Sequence, residues 1–198
     1  MQVTDKQKRA NILSAAAVLF ATQAFHKVLL SDVAEKAGVG KGTLYIYFKN
    51  KEDLYFSVLL DGFSSLVERI HLQLDETTQG PMENLEQTIR EIVRFAFQDR
   101  HLFNVMRTLP IGMSIIRERW LEKRRELIDL ILSIITQGIK AGVFYDPHPE
   151  LTAGYIPGLV RSALLNGTDG IDPDVLSRHI IRFVTTALTQ SGELKATL

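Results

Sequence analysis

Residues 37–54 read AGVGKGTLYIYFKNKEDL, and the segment GVGKGT within them is a glycine-lysine-threonine cluster of the kind that binds phosphate groups. The phosphates could belong to a nucleotide or to a nucleic-acid backbone, because N–H groups at a glycine-rich turn that enters a helix attract either. A nucleotide-binding P-loop needs Ser or Thr after its Gly-Lys pair and another glycine five residues before that pair. Gly42 follows Lys41 here and Glu35 stands at the earlier position, so the P-loop pattern does not fit.

The composition is typical of a folded domain, since 45% of the 198 residues are hydrophobic and can form a core. The absence of cysteine excludes disulfides and thiolate metal sites. The first residues, MQVTDK, do not resemble a signal peptide, and no apolar run approaches the ~18 residues of a membrane span. These features predict a cytoplasmic protein without a membrane partner.

The net charge of zero is unevenly distributed along the chain. Residues 1–51 hold 8 Lys/Arg and 3 Asp/Glu, a net charge of +5, whereas residues 52–198 hold 15 and 20, a net charge of −5. A basic head on an acidic body suggests that the head meets an anionic polymer. A chance imbalance of a few surface lysines is the alternative, and charge alone does not separate the two.

The apolar spacing predicts an all-α fold of about nine helices, because no alternating strand pattern appears. We expect a first domain of short helices at 1–52 and a helical bundle at 53–198. A kink is expected at Pro157. The predicted helices begin near Thr4 and lie at about 4–23, 30–37, 41–47, 51–74, 82–99, 100–107, 113–141, 148–165 and 173–190.

Two short helices joined by the turn at 38–40 form a helix-turn-helix, whose second helix lies in the major groove of DNA. Glycines there let the backbone approach DNA closely, and Lys41 can reach a phosphate or a guanine edge. Tyr45 and Tyr47 offer hydroxyl groups to phosphates, and Lys51 adds a phosphate contact. The predicted DNA-contacting residues are Ser31, Gly40, Lys41, Gly42, Thr43, Tyr45, Ile46, Tyr47 and Lys51.

The stretch DVAEKAGVGKGTLYIYFKNKEDLYFSVL resembles the N-terminal domain of the TetR family of one-component transcriptional regulators. The resemblance covers about residues 6–66. It implies a homodimeric, ligand-released repressor that binds a near-palindromic double-stranded DNA operator. The helix-turn-helix DNA-binding domain would then be residues 1–52, and the ligand-binding and dimerisation bundle residues 53–198. The matching positions are Val33-Ala34, Ala37-Gly38-Val39, Lys41-Gly42-Thr43-Leu44-Tyr45, Tyr47-Phe48 and Lys51-Glu52-Asp53-Leu54.

Three positions depart from the family pattern. Gly40 replaces the usual serine of the turn, and Ala24 replaces the usual glycine after the first helix. Leu29 stands where a Thr or Ser cap is usual, and Ser31 is expected to replace part of that cap.

The bundle contains more aromatic and Met side chains than one helix seam needs. Core packing accounts for any one of them, whereas the family resemblance implies a cavity for an apolar or amphipathic small molecule within the group. The candidate effector-binding residues are Phe63, Leu66, Phe97, Phe103, Met106, Met113, Trp120 and Tyr155.

The last two predicted helices carry apolar stripes too wide for one neighbour. A two-fold pair of these helices would form a four-helix dimer interface. The predicted interface residues are Ile156, Leu159, Val160, Ala163, Ile180, Phe183, Val184, Ala187 and Leu188.

Other motifs favour ordinary surface roles. Glu68-x-x-His71 has the spacing of a di-iron ligand pair, but the sequence contains no second copy. The alternating charges of residues 117–126 are typical of a solvated helix face. No catalytic triad, metal site or cofactor motif is legible, so an enzyme is not predicted. Two alternatives are a helical small-molecule-binding protein whose head no longer binds DNA and a nucleoid-type DNA binder without a ligand.

Overall fold

The computed structural model describes residues 5–76, 79–98, 114–165 and 170–189. Within these ranges the regular structure is helical, and the predicted all-α fold is confirmed. The helix predicted at 100–107 lies outside the described residues. The eight described α-helices are α1 (Asp5–Thr22), α2 (Leu30–Lys36), α3 (Lys41–Tyr47), α4 (Lys51–Glu76), α5 (Pro81–Gln98), α6 (Ser114–Lys140), α7 (Pro149–Leu165) and α8 (Pro173–Thr189).

The described residues divide into two compact units. The first contains the chain up to Phe63 and a short stretch that ends at Arg119, and the second contains the described residues from Ser64 and from Trp120 onward. The division falls within α4 and α6, whereas the predicted domain boundary at residue 52 lies at the beginning of α4.

The core of the first unit is built from apolar residues at helical spacing on α1, α2, α3 and α4. Leu44 and Phe48, four residues apart, are buried, and they fix which face of α3 turns inward. Tyr55 of α4 makes edge contacts with Phe20 and Phe25 at ring-centre distances of 4.6 and 5.1 Å. Such aromatic contacts add to the stabilisation from burial, so they hold α1, the 3₁₀ turn Phe25–Lys27 and α4 together.

Side-chain hydrogen bonds of Asn50 and Asp53 fix where α4 begins. Asn50 Oδ1 accepts a hydrogen bond from the Asp53 N–H at 2.7 Å and so caps the helix. Asp53 Oδ2 accepts one from the Lys49 N–H at 2.9 Å. By contrast, Leu29 provides no side-chain cap to α2. Ser31 donates to Asp32 Oδ1 and not to the backbone, so the expected substitute cap at Ser31 was wrong.

In the second unit, α5 packs against α7 and α8, and α7 packs against α8. Asp172 Oδ1 accepts a hydrogen bond from the Asp174 N–H at 2.8 Å and so caps α8. Gly142 has a φ of +70°, so α6 ends with glycine in the left-handed conformation. Helix α7 contains Pro157 and is continuous from Pro149 to Leu165.

Candidate functional site

The turn between α2 and α3 places the short helices of the head. Gly38 has a φ of +67°, a conformation that glycine adopts without strain, and its N–H donates to Glu35 O at 3.0 Å. The Val39 N–H donates to Ala34 O at 3.0 Å and closes the end of α2. Gly40 then precedes α3 in an extended conformation and supplies no side-chain cap. The predicted helix-turn-helix is therefore present.

Helix α3 has one buried and one exposed face. Leu44 is fully buried, while Lys41, Gly42, Tyr45 and Ile46 are exposed. The exposed four occupy positions i, i+1, i+4 and i+5, so they lie on one side of the helix. The structure thus brings together a cation, a glycine, a phenol and an aliphatic side chain from the predicted DNA-contacting set. Of the rest of that set, Gly40 and Ser31 are exposed, and Thr43 is half-buried.

Tyr47 makes a hydrogen bond within the first unit. Its hydroxyl donates a hydrogen bond to Asp5 Oδ1 at 2.9 Å. Burial, then the hydrogen bond to Asp5 and the negative charge of that carboxylate, raise the pKa of Tyr47 above its usual value of 10.0. The sequence prediction had this hydroxyl donating to phosphate, whereas the structure shows its proton directed to α1.

Lys51 is also directed inward. Its Nζ donates to the carbonyl oxygens of Val28 at 3.2 Å and His26 at 3.4 Å, and it lies 4.7 Å from the centre of the Phe25 ring. The side chain predicted to clamp a phosphate therefore ties the turn before α2 to the beginning of α4. Lys49, which the prediction omitted, is exposed two residues earlier.

A cavity of about 740 Å³ lies between α4 and α6 within the second unit. Lys123 Nζ donates hydrogen bonds to both carboxylate oxygens of Glu126, at 2.9 and 2.7 Å. Two apolar side chains, Val67 and Leu130, accompany the polar ones. The described lining residues are Ser64, Val67, Glu68, His71, Lys123, Glu126, Asp129, Leu130 and Ser133.

None of the predicted effector-binding residues that the structure describes lines this cavity. Leu66 is completely buried and Phe63 is buried, so they belong to the core, while Tyr155 is 62% exposed on α7. Phe97 and Trp120 are half-buried. Phe103, Met106 and Met113 lie outside the described residues. Effector contact through any of the eight stays a prediction.

The cavity was missed because its residues are mostly polar. The signal was present in the sequence, since Ser64, Val67, Glu68 and His71 fall at i, i+3, i+4 and i+7 on one face of α4. The pair Glu68-x-x-His71 therefore lines a cavity. The described part of the chain contains no group of three or more His, Cys, Asp or Glu residues that could hold a metal ion.

The predicted dimer residues divide into buried and accessible sets. Five are at most 3% exposed within a single chain, so they pack inside the bundle and cannot form an outer interface: Ile156, Val160, Ile180, Val184 and Leu188. This part of the prediction was wrong, because the stripe that seemed too wide is covered within the same chain, where α5 packs on α7 and α8. Leu159 and Ala163 are half-buried, Ala187 is exposed, and Phe183 is 61% exposed.

No helix in the described ranges is both long enough and apolar enough to cross a membrane.

Two short helices joined by a glycine turn, with an exposed basic and aromatic face on the second, define a helix-turn-helix DNA-binding protein. Residues 12–58 match the model of the bacterial regulatory proteins of the tetR family. The chain belongs to this family, and it is a DNA-binding transcriptional regulator. The resemblance read from residues 33–54 is confirmed.

Relatives and solved structures agree with this assignment. The HTH-type transcriptional regulator YhgD of Bacillus subtilis is 30% identical over 146 residues, which cover 72% of this chain and 74% of YhgD. The B. subtilis fatty acid metabolism regulator protein is 30% identical over 142 residues, covering 69% of this chain and 72% of the relative. The crystal structure of FadR from B. subtilis in complex with stearoyl-CoA aligns with a TM-score of 0.67 at 25% identity, covering 90% of this chain and 98% of FadR.

A further crystal structure supports the fold alone. A TetR/AcrR-family regulator from Thermobifida fusca aligns with a TM-score of 0.76 at 20% identity, covering 89% of this chain and 96% of that chain.

Proposed function

We propose that the protein is a homodimeric repressor that binds a near-palindromic operator through α3 and is released by an amphipathic small molecule. The exposed face of α3 carries this proposal. Lys41 and Tyr45 supply a cation and a hydroxyl, and the family match covers the whole helix-turn-helix. A recognition helix in the major groove uses such groups for phosphates and base edges.

The exposed faces of α7 and α8 support a two-fold dimer. Large apolar side chains on both helices are 48–62% exposed, although the same helices bury their opposite faces against α5. Exposed apolar surface of this kind marks an interaction site. An isologous pair of α7 and α8 would cover it and give one recognition helix to each operator half-site. The corrected interface residues are Leu151, Tyr155, Leu159, Val175, Phe183 and Ala187.

The effector is proposed to contain a long acyl chain. The support is the B. subtilis relative named as a fatty acid metabolism regulator and the FadR structure in complex with stearoyl-CoA. The cavity between α4 and α6 is a site of suitable size, since ligand pockets are commonly about 300–1,000 Å³. Its described lining contains three carboxylates and one lysine, which is already paired with Glu126. An uncharged or partly screened head group suits this lining better than a free anion.

Helix α4 is the proposed route by which effector binding changes DNA binding. It is a continuous helix of 26 residues that begins next to the helix-turn-helix and contributes Ser64, Val67, Glu68 and His71 to the cavity. An effector that favours one position of this helix changes operator affinity only if it binds the two states differently. Operator and effector then weaken each other by the same factor.

Selection of bound sequences from random DNA tests the operator part. We expect an inverted repeat whose half-sites are about one helical turn apart. Fluorescence anisotropy with that operator then gives the affinity with and without stearoyl-CoA, stearate and octadecylamine, which share one chain length and differ in head-group charge. Release by at least one probe is expected.

The outcomes separate the possible functions. Binding of a probe by a protein that enriches no DNA sequence would favour the alternative of a helical small-molecule-binding protein. An enriched operator that none of the three probes releases would contradict the acyl-chain effector and leave the repressor assignment standing.

A further inference from the structure

Ile46 has no role inside the described part of the chain. It is 80% exposed, whereas the other exposed large hydrophobic side chains are 40–62% exposed. A side chain this exposed buries little apolar area on folding, so folding does not explain an isoleucine at this position. Exposed apolar side chains are common, but this one lies on the face that the family directs toward DNA.

Gly42 is equally unexplained by the fold. A Cβ added at Gly42 would meet nothing within 4 Å, so no neighbour requires a glycine there. The backbone does not require it either, because Gly42 is not among the positive-φ glycines of the described residues, which are Gly38, Gly142 and Gly170. Glycine is less favourable than alanine inside a helix. The absence of a side chain at Gly42 therefore leaves space for a binding partner outside the chain.

Ile46 and Gly42 lie in one row. They are four residues apart on α3, and helical side chains lean toward the preceding turn. The isoleucine side chain is therefore adjacent to the strip of backbone that Gly42 leaves open. Lys41 and Tyr45 form a parallel row with the same spacing. The exposed face of α3 thus has a polar row, Lys41 and Tyr45, and beside it an apolar row in which Gly42 has no side chain and Ile46 has an aliphatic one.

The chemistry of the major groove gives this apolar row a partner. Base edges there display hydrogen-bond donors and acceptors, and the apolar group among them is the C5-methyl of thymine. Isoleucine can neither donate nor accept a hydrogen bond. On the basis of the proposed operator binding, we infer that Ile46 reads a thymine methyl group in each half-site and that Gly42 lets that base edge approach α3. Ile46 is thus a specificity-determining residue.

Replacement of thymine by uracil tests the inference, because uracil pairs identically and lacks only the methyl group. Each thymine of the selected operator is replaced in turn, symmetrically in both half-sites, and affinity is measured by fluorescence anisotropy. Burial of one methyl group is worth about 0.8 kcal/mol, which corresponds to about 4-fold in affinity for each half-site. Wild type should show that loss at one thymine position.

Two variants complete the experiment. Ile46→Ser should bind the thymine and uracil operators equally, and its circular dichroism and melting temperature should match wild type because Ile46 is exposed. Tyr45→Phe is the matched control on the parallel row. It removes one hydroxyl, so it should lower affinity for all operators while keeping the uracil penalty at the same position.

Three results would overturn the inference alone: an operator without thymine in its half-sites, equal wild-type affinity for all uracil operators, or a uracil penalty that persists in Ile46→Ser. Failure to enrich any sequence would instead reject the proposed operator binding, and the inference would fall with it.

Discussion

The hydroxyl of Tyr47 donates a hydrogen bond to the carboxylate of Asp5 at 2.9 Å and thereby joins the last residue of α3 to the first of α1. The two residues are 42 positions apart in the sequence. Since a helix of 7 residues is too short to be stable alone, tertiary contacts such as this one hold the recognition helix in place.

Tyr47→Phe should lower the melting temperature of the head slightly, and its effect should depend on pH. The raised pKa of Tyr47 means that the folded state favours the neutral phenol over the unfolded state, whose pKa is about 10.0. The bond therefore contributes fully below about pH 10 and is lost as the pH rises through the higher folded pKa. Unfolding free energies of wild type and variant, compared from pH 7 to 11, should converge at the alkaline end. Tyr145→Phe is the control for removal of a phenol hydroxyl, because Tyr145 is half exposed.

Lys51→Ala should destabilise the head by about 1 kcal/mol, because it removes two hydrogen bonds to backbone carbonyls and the contact with the Phe25 ring. Lys49→Ala should leave the melting temperature unchanged, since this side chain is exposed, and should reduce the salt slope of operator binding by about one unit if Lys49 contacts a phosphate. Calorimetry and salt titrations of both variants separate these roles. A reduced salt slope in Lys51→Ala without a change in stability would favour the original phosphate clamp.

The head could be predicted from the sequence because its signals are local. A positive-φ glycine at Gly38, a cap at Asn50 and the i, i+4 pair Leu44 and Phe48 each act within a few residues, and the structure contains all three. The directions of Tyr47 and Lys51 could not be predicted. Their partners lie 23–42 residues away in sequence and are specified by tertiary packing.

The proposed dimer face on α8, by contrast, could not be predicted from the sequence. Periodicity indicated that α8 has an apolar stripe, but it does not say what covers the stripe. Ile180 and Val184 are covered by the chain itself, whereas Phe183, the next residue to Val184, is exposed. Adjacent positions on a helix are about 100° apart, so one residue of register separates core from surface.

If the proposed dimer forms through α7 and α8, Phe183→Glu should convert it into a folded monomer, because the interface would bury a carboxylate without water or a partner. Sedimentation equilibrium gives the mass, and far-ultraviolet circular dichroism shows that the helices remain. The monomer should also lose operator affinity, since each half-site is then bound independently.

Val184→Glu is the matched contrast one residue further along α8. Val184 is 3% exposed, so the charge would be placed in the core and the variant should unfold. A Phe183→Glu protein that keeps the dimer mass would show that α7 and α8 do not form the interface.

Gly138→Ala should destabilise the second unit by about 1–3 kcal/mol, the usual cost of overpacking. A Cβ at Gly138 would lie 2.8 Å from Cγ of Phe144 and closer still to two other ring atoms. Phe144 is buried, and its N–H donates to Gly138 O at 3.1 Å, so the ring cannot move away freely. Gly154→Ala is the control, because a Cβ there meets nothing within 4 Å, and it should be neutral or slightly stabilising. Urea unfolding with equal stabilities for both variants would contradict the close packing.

If the effector binds in the cavity between α4 and α6, the acidic lining should make two ligands of opposite charge respond in opposite directions to the loss of carboxylates. Glu68→Gln combined with Asp129→Asn removes two exposed carboxylates from α4 and α6. Each exposed charge is worth roughly 0.2–1 kcal/mol, so stearoyl-CoA should bind severalfold more tightly and octadecylamine severalfold more weakly. Trp120, the only tryptophan in the sequence, is half-buried one turn before Lys123, so its fluorescence can report both affinities.

Glu122→Gln is the control for this pair. It removes an exposed carboxylate from the same helix that is not among the described lining residues of the cavity, so it should change both affinities little. Repeating the titrations at high salt should reduce the difference between the two ligands, because exposed charges are screened. Equal responses of both ligands to the double variant would place the effector elsewhere in the bundle, since binding in this cavity cannot be independent of the sign of the head group.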